Sequence, residues 1–337
     1  MSDLRTHYMG IELKNPIIVG ASNLVLDELH LKQMEEAGAA AIVYKSLFEE
    51  QVQLENLALS EALDEYSERH AEMTTLFPDI EHAGPKEFLM NLRKARKVLS
   101  IPLFASLNAV YKETWVEYAE QLTDTGVDGL ELNFYSVPLD FNKSEVVITD
   151  EQITILKEVK KAVSIPVAVK LSPFYTNPLY VIKKMDEAGA DGVVLFNRLF
   201  QPDIDIDLEE NYFPYNLSHQ QDSRIALRFA GLLYGNVNAS ICANTGILTG
   251  EDVLTMLLAG ADCVQVVSTL YKNQIEYIRT MLTDIQEWMQ DKHYQKLDDF
   301  RGKLSKKRIK DPFAYKRAQY IDILLRSEEI FKRYPLR

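Results

Sequence analysis

The amino-acid sequence predicts an α/β protein, a closed (β/α)8 barrel of the TIM type, and three observations support this prediction. Eight short apolar runs rich in β-branched residues occur along the chain, and segments with helical periodicity separate them. Most of these runs do not alternate between polar and apolar residues, as expected for strands buried on both faces. The runs are also of two kinds that alternate along the chain, which indicates an internal repeat. Strand–helix alternation repeated eight times is typical of a barrel.

The two kinds of run differ in how they begin. Four follow a turn of small residues, and four begin with proline or alanine, two of them after the tripeptide Ser-Ile-Pro. In chain order the eight predicted strands are residues 16–22, 37–45, 102–108, 126–133, 166–172, 188–197, 239–246 and 259–268. An open doubly wound sheet is the alternative fold, but no GxGxxG motif follows the first strand.

Two connections are much longer than the others, the one after the second strand (residues 46–101) and the one after the sixth (198–238). In a barrel both insertions lie at the catalytic face. The Glu-rich part of the first, around residues 49–72, predicts either an extra surface helix or a lid over the site. Residues 300–337 predict a helical extension of the barrel. We therefore expect residues 1–337 to form a single domain.

The composition argues against several classes of protein. A formal net charge of −13 disfavours a nucleic-acid partner, which requires clustered Lys and Arg, and we expect the basic run at 301–310 to be solvated surface. Cys242 and Cys263 lie outside any CxxC motif and inside apolar runs, so we expect no metal site and a reducing compartment. The first residues contain no apolar segment, which predicts a cytoplasmic protein without a membrane partner.

The residues at the carboxyl ends of the predicted strands are candidates for an active site, because those ends converge on one face of a barrel. They form a polar set with two lysines and four asparagines: Ala21, Ser22, Lys45, Ser46, Ser106, Asn108, Asn133, Lys170, Asn197, Asn244, Thr245, Gly246, Ser268 and Thr269. Burying a lysine at a strand end is costly unless it is paired. We therefore expect this set to bind an anionic or heteroaromatic ligand. The alternative is that the lysine side chains only extend to solvent.

The turn after the seventh strand favours a phosphate site. Barrels commonly bind phosphate after their seventh and eighth strands, through backbone N–H groups and a nearby helix N-terminus. Here these ends carry Thr245–Gly250 and Val267–Thr269. Gly246 allows close approach of the backbone, and either Thr249 or Glu251 is expected to start the next helix.

Nearly the whole chain resembles the dihydroorotate dehydrogenases, and most of all their soluble FMN-dependent branch. The motifs that carry the resemblance agree in order, spacing and strand position: Asn15-Pro16 with Ala21-Ser22, Lys45-Ser46, Glu131-Leu-Asn133, Val169-Lys-Leu-Ser-Pro173, Asn197, Thr245-Gly-Ile-Leu-Thr-Gly250 and Tyr294-Gln-Lys-Leu-Asp-Asp-Phe-Arg-Gly-Lys303. The resemblance implies an FMN oxidoreductase that oxidises dihydroorotate, a small-molecule substrate, to orotate in pyrimidine biosynthesis. It also implies a homodimer, as in the soluble relatives.

The resemblance further implies roles for individual residues. Lys170 contacts the pyrimidine edge of the flavin, where a cation offsets the charge that hydride transfer adds. Asn133 and Asn197 bind the substrate. The complete set of implied cofactor-binding residues is Ala21, Ser22, Lys45, Ser46, Asn108, Asn133, Lys170, Thr245, Gly246, Ser268 and Thr269.

The segment after the fourth strand departs from the family pattern. The residue that abstracts the proton in the family lies three positions after Asn133, where this chain has Ser136. A serine needs local activation to act as a base. The implied catalytic residues are therefore Ser136, Lys45 and Tyr135, the last either a second candidate for proton transfer or a wall of the pocket. Val137-Pro138 replaces the family's Pro-Asn, whose Asn binds orotate.

Two other segments also depart from the family's motifs, one of them its substrate loop. Glu72–Phe77 stands where the Asn-Ser-Met-Gly-Leu substrate loop is expected, and Asn216–Asp222 replaces a glycine-rich stretch after the sixth strand. Three hypotheses therefore stay open: oxidation of dihydroorotate, an FMN oxidoreductase for another small planar substrate, and a catalytically inactive flavin-binding homologue.

Overall fold

The computed structural model describes residues 2–53, 85–135, 140–198, 202–212 and 217–311, together with a few isolated residues after 314. Within this part of the chain eight parallel strands form a closed barrel, which confirms the predicted fold. The strands are β1 Ile17–Val19, β2 Ala41–Val43, β3 Leu103–Asn108, β4 Gly129–Asn133, β5 Val167–Leu171, β6 Gly192–Leu195, β7 Ser240–Asn244 and β8 Cys263–Val266. Each lies inside one of the predicted apolar runs.

The barrel closes because each strand pairs in parallel with two neighbours. The last strand, β8, pairs with the first, β1, with Val264 opposite Ile17. Likewise β2 pairs with β3, with Ile42 opposite Leu103. A short strand, Leu47–Phe48, adds to the outer part of β3. All carboxyl ends therefore converge on one rim, which is where the sequence placed the polar candidates.

Helices surround the barrel and return the chain to the opposite rim between strands. They are α1 Glu28–Ala37, α2 Lys86–Val98, α3 Lys112–Thr123, α4 Glu145–Ala162, α5 Pro178–Glu187, α6 Ser223–Leu233, α7 Gly250–Ala259, α8 Ser268–Asn273 and α9 Tyr277–Asp291. Thr249 and Asp252 form a capping box at the start of α7, which settles its first residue. No helix in the described ranges is both long and apolar enough to cross a membrane.

An N-terminal hairpin, Thr6–Tyr8 paired with Ile11–Leu13, closes the amino end of the barrel. Its turn residues Met9 and Gly10 both have positive φ, the geometry of a two-residue hairpin turn. Tyr8 and Met9 are buried in one cluster with interior residues of the strands, including Cys242 and Cys263. Both cysteines are buried free thiols, as predicted, and burial raises the pKa of the Cys263 thiol.

The two long connections leave the barrel at the expected rim. The first begins with helical residues 49–53, and the rest of the Glu-rich stretch, with Glu72–Phe77, lies outside the described residues. The Glu49 carboxylate accepts hydrogen bonds from Val110 N and Tyr111 N and so holds the loop that leads into α3. The second connection contains an exposed hairpin, Asp203–Asp205 with Glu210–Tyr212.

The described start of the predicted helical extension, residues 301–308, forms turns instead of a helix. Its backbone N–H groups are used elsewhere: Gly302 N donates to Leu257 O, and Leu304 N donates to Leu258 O. These carbonyls belong to the last turn of α7, and the last carbonyls of a helix have no N–H donor within the helix. Capping α7 therefore competes with helix formation here. Most of residues 312–337 lies outside the described residues.

Replacing Gly192 with valine is expected to overpack the floor of the barrel. A Cβ at this position would lie 3.0 Å from Met9 Cγ and 3.1 Å from Tyr8 Cε2. Overpacking of this kind costs about 1–3 kcal/mol of the free energy of unfolding, measurable by urea denaturation. Met9→Ala provides the matched background, because it makes room beside Gly192. A Gly192→Val effect that is the same in both backgrounds would show that the hairpin does not fill this space.

Candidate functional site

A cavity of about 450 Å³ lies at the carboxyl ends of the barrel strands. Most of the residues predicted from the sequence form its wall: Ala21, Ser22, Lys45, Ser46, Asn133, Tyr135, Lys170, Asn197, Thr245, Gly246 and Ser268. They come from seven different strands and meet because parallel strands in a closed barrel end at one rim. The structure thus brings together residues that are up to about 250 positions apart in the chain.

Four predicted residues stand apart from this wall, and one of them, Ser106, is hydrogen-bonded to the wall residue Ser46. Asn108 lies behind it, where its Nδ2 donates to the carbonyls of Asn133, at 2.6 Å, and Tyr135, at 3.1 Å. Thr269 is fully buried, and its hydroxyl donates to Leu248 O. Asn108 therefore supports two cavity residues, and Thr269 supports the turn next to Ile247, which lines the cavity. Ser136 lies outside the described residues, as do Val137 and Pro138.

One side of the cavity combines a satisfied pair of hydroxyls with two polar atoms that have no partner among the described residues. The satisfied pair is Ser46 and Ser106, whose side chains are joined by a 2.6 Å hydrogen bond. The buried Asn133 Oδ1 and Ser22 Oγ have no hydrogen-bond partner among the described residues, although both side chains line the cavity. Leaving such groups unsatisfied costs about 1–3 kcal/mol each, so a ligand with its own donors fits here. A planar heterocycle with ring N–H groups would supply them.

The described wall is strongly cationic. It contains three positive side chains, Lys45, Lys170 and Arg198, and no carboxylate. Arg198 Nε lies 4.0 Å from Asp222 Oδ2, so part of its charge is offset at the edge of the cavity. With low-dielectric walls around them, these cations favour an anionic ligand. Arg198 was not predicted, and its only signal in the sequence was its position directly after Asn197.

At the opposite side, two loops and a helix start form a compact cradle. Ser218 N and Ser218 Oγ both donate to Ser268 Oγ, at 2.9 and 2.8 Å, and Gly246 N donates to Ser218 Oγ at 3.2 Å. Lys272 Nζ donates to Ser218 O. Hydroxyls and backbone N–H groups next to the start of α7 suit a phosphate. Ser218 belongs to residues 216–222, which stand where a glycine-rich stretch is expected after the sixth strand.

Two further residues under the cavity also escaped prediction as site residues. Gln265 lines the cavity, and the buried Glu131 lies beneath it. The signal that could have found them is the occurrence of a polar residue in the middle of an apolar strand, as at Lys170. In the part of the chain that the structure describes, no group of three or more His, Cys, Asp or Glu side chains could hold a metal ion.

The backbone at the cradle depends on Gly246. Thr245 and Gly246 both have positive φ, at 73° and 72°. A Cβ on Gly246 would lie only 2.6 Å from His219 O and from Ser223 N, which are backbone atoms and cannot rotate away. The absence of a side chain thus lets the β7–α7 turn lie directly against the segment that carries Ser218.

Gly246→Ala is therefore expected to destabilise the protein more than a positive φ alone would. Gly10→Ala is a matched control, because Gly10 has φ +78° but a Cβ there would meet nothing within 4 Å. We expect a loss of about 1 kcal/mol for Gly10→Ala from backbone strain and a clearly larger loss for Gly246→Ala, both measured by urea denaturation. Equal losses would mean that the close approach at Gly246 carries no energetic weight.

Comparison with known proteins agrees with this architecture. The profile of the family Dihydroorotate dehydrogenase matches residues 77–289. A dihydroorotate dehydrogenase B (NAD(+)) catalytic subunit of Thermoplasma volcanium is 27% identical over 313 residues, covering 90% of this chain and 98% of the relative. The corresponding subunit of Methanocaldococcus jannaschii is 26% identical and covers 86% and 94%. A dihydroorotate dehydrogenase A (fumarate) of Lactobacillus delbrueckii subsp. bulgaricus is 30% identical, over 56% of this chain and 62% of the relative. The chain belongs to the dihydroorotate dehydrogenase family.

Proposed function

We propose that this protein is an FMN-dependent oxidoreductase that oxidises dihydroorotate to orotate. The observation that carries the proposal is the composition of one cavity: a lysine and unsatisfied amide and hydroxyl groups on one side, and a hydroxyl and backbone N–H cradle on the other. A ligand with a heterocyclic ring and a phosphate matches both sides. The names of the relatives from Thermoplasma volcanium and Lactobacillus delbrueckii support the same substrate.

In this proposal the cofactor is held at two places. Thr245, Gly246 and Ser268, with Ser218, hold the phosphate, and the fit rests on the cradle that these residues form. Ser22 and Asn133 offer the buried oxygens that would accept from the ring. Bound FMN supplies a hydride acceptor, the chemistry that amino-acid side chains lack.

The protein's own residues orient the substrate and move the proton. Asn133 and Asn197 line the cavity and present amides to a pyrimidine ring, and Lys45 stands at the same rim. Oxidation of dihydroorotate removes a hydride from one ring carbon and a proton from its neighbour. We propose Ser136 as the residue that takes the proton. Tyr135, whose side chain lines the cavity and whose carbonyl is held by Asn108, is the second candidate.

The organisation of the whole chain completes the proposal. We propose a single domain spanning residues 1–337 that works in the cytoplasm as a homodimer in pyrimidine biosynthesis. The continuous hydrophobic core, which joins residues of the barrel strands and of the helices around them, supports the single domain.

The decisive experiment is anaerobic addition of dihydroorotate to purified protein reconstituted with FMN. We expect the yellow absorbance of the flavin to bleach, because hydride transfer would convert the oxidised flavin, which absorbs visible light, into the reduced form. The measurement is stopped-flow absorbance in the visible range. Protein that stays yellow with dihydroorotate but bleaches with another dihydropyrimidine or an enone pair would move the substrate to that class. Protein that no donor reduces would be an inactive homologue.

Ser136→Ala is expected to slow this bleaching by about 10²–10⁴-fold, the usual contribution of a positioned general base, with FMN affinity unchanged. Tyr135→Phe serves as the matched comparison, because it removes only a hydroxyl from the neighbouring position. If Tyr135→Phe causes the large loss and Ser136→Ala does not, the Tyr135 hydroxyl takes part in the proton transfer instead of Ser136. If neither variant slows the reaction, the base is a different residue.

A further inference from the structure

Three polar side chains form a closed ring inside the barrel, directly below the cavity. Lys170 Nζ lies 3.3 Å from Glu131 Oε1 and donates at the same distance to Gln265 Oε1, while Gln265 Nε2 donates to Glu131 Oε2 at 2.5 Å. The residues come from β5, β4 and β8, so the ring spans the interior from one side of the barrel to the other. Glu131 and Gln265 are each only 1% exposed, and Lys170 is 9% exposed.

A charged ring at this level is a costly way to fill a barrel. Taking a carboxylate and an ammonium out of water costs several kcal/mol per ion, and replacing a buried pair by apolar side chains is often neutral or stabilising. The adjoining interior shows the apolar solution, since Tyr8, Phe104 and Val194 belong to one buried apolar cluster. Stability alone therefore does not account for Glu131 in this position.

The ring is built asymmetrically with respect to the cavity. Lys170 and Gln265 line the cavity, whereas Glu131 is absent from its described wall and lies behind them. Both Glu131 oxygens are occupied, one by the ammonium and one by the amide. An ammonium has three N–H donors. Two of them are directed at Glu131 and Gln265, which leaves the third for a ligand in the cavity.

We propose that Glu131 is a positioning residue for the cofactor, acting through Lys170. It holds the Lys170 ammonium in place at the floor of the cavity and offsets part of its positive charge, so that the pair together would set how strongly the protein favours reduced over oxidised FMN. A lone ammonium would stabilise the negative charge of the reduced ring more strongly than the pair does. This inference rests on the proposed FMN function.

The test is the midpoint potential of FMN bound to Glu131→Gln, measured against a reference dye. This substitution keeps the size of the side chain and removes its charge. We expect the potential to shift to a more positive value, because the Lys170 charge is no longer offset. Glu49→Gln is the matched control, since Glu49 is also a buried carboxylate near the rim, and its hydrogen bonds to described residues go to the loop before α3, to α3 and to Gln53. An unchanged potential in Glu131→Gln, or an equal shift in Glu49→Gln, overturns the proposal.

A second pair of variants tests whether the effect passes through Lys170, and it does not depend on the folding of the single variant Glu131→Gln. In Lys170→Gln the buried carboxylate has lost its counter-ion, and burial then disfavours its charged form. We therefore expect Lys170→Gln and the double variant Lys170→Gln/Glu131→Gln, which buries no charge in the ring, to have the same FMN potential. A difference between the two would mean that Glu131 acts on the ring independently of Lys170, against the proposal.

The two proposals fail in different ways. Wild-type protein that is colourless and does not bind added FMN would remove the proposed function and this inference together. Wild-type protein that binds FMN and is reduced by dihydroorotate, with Glu131→Gln unchanged in potential, would remove only the role of Glu131.

Discussion

The structure depends on how the interior of the barrel is filled. A closed ring of eight strands encloses a space that must be packed with side chains, because a void of this size would forfeit most of the favourable contacts of the core. In this protein the amino end is filled from outside the ring, by Tyr8 and Met9 of the N-terminal hairpin. The small residues Gly129 and Gly192 on the strands leave the room that those two side chains need. The floor therefore requires both the hairpin and the glycines.

The side chains that fill the barrel change from apolar to polar along its axis, and the cavity lies at the polar end. Above the apolar floor lies the ring of Glu131, Lys170 and Gln265, and above the ring the cavity opens. The chain carries a formal charge of −13, yet the described cavity wall is cationic. Since buried charges need partners, the buried carboxylate of Glu131 lies under Lys170 and not in the described cavity wall. An acidic protein can thus present a local positive field to an anionic ligand.

The rim illustrates how much of a site is set by supporting residues. Asn108 and Thr269 are predicted cofactor-binding residues that do not line the cavity. Asn108 holds the carbonyl of Asn133, which lines it, and Thr269 holds the carbonyl of Leu248 in the turn beside it. Ser218 shows the opposite case. Its segment lacks the expected glycines, and it still brings a hydroxyl and an N–H to Ser268. What matters at the cradle is where the backbone and the hydroxyls lie, and Gly246 allows that placement by leaving the turn free of a side chain.

The amino-acid pattern predicts the number of strands and the polar residues at their ends, because buried parallel strands leave apolar runs and polar residues follow at fixed positions. Lys45, Asn133 and Lys170 could be recognised in this way. Which polar residues face each other across the barrel depends on how the strands close around it, and the pattern does not predict it. Gln265 and Glu131 are 134 positions apart and meet through their side chains, and no local pattern records such a contact. The start of the C-terminal extension was likewise decided by tertiary contact, since its N–H groups complete the end of α7 and so cannot also form a helix.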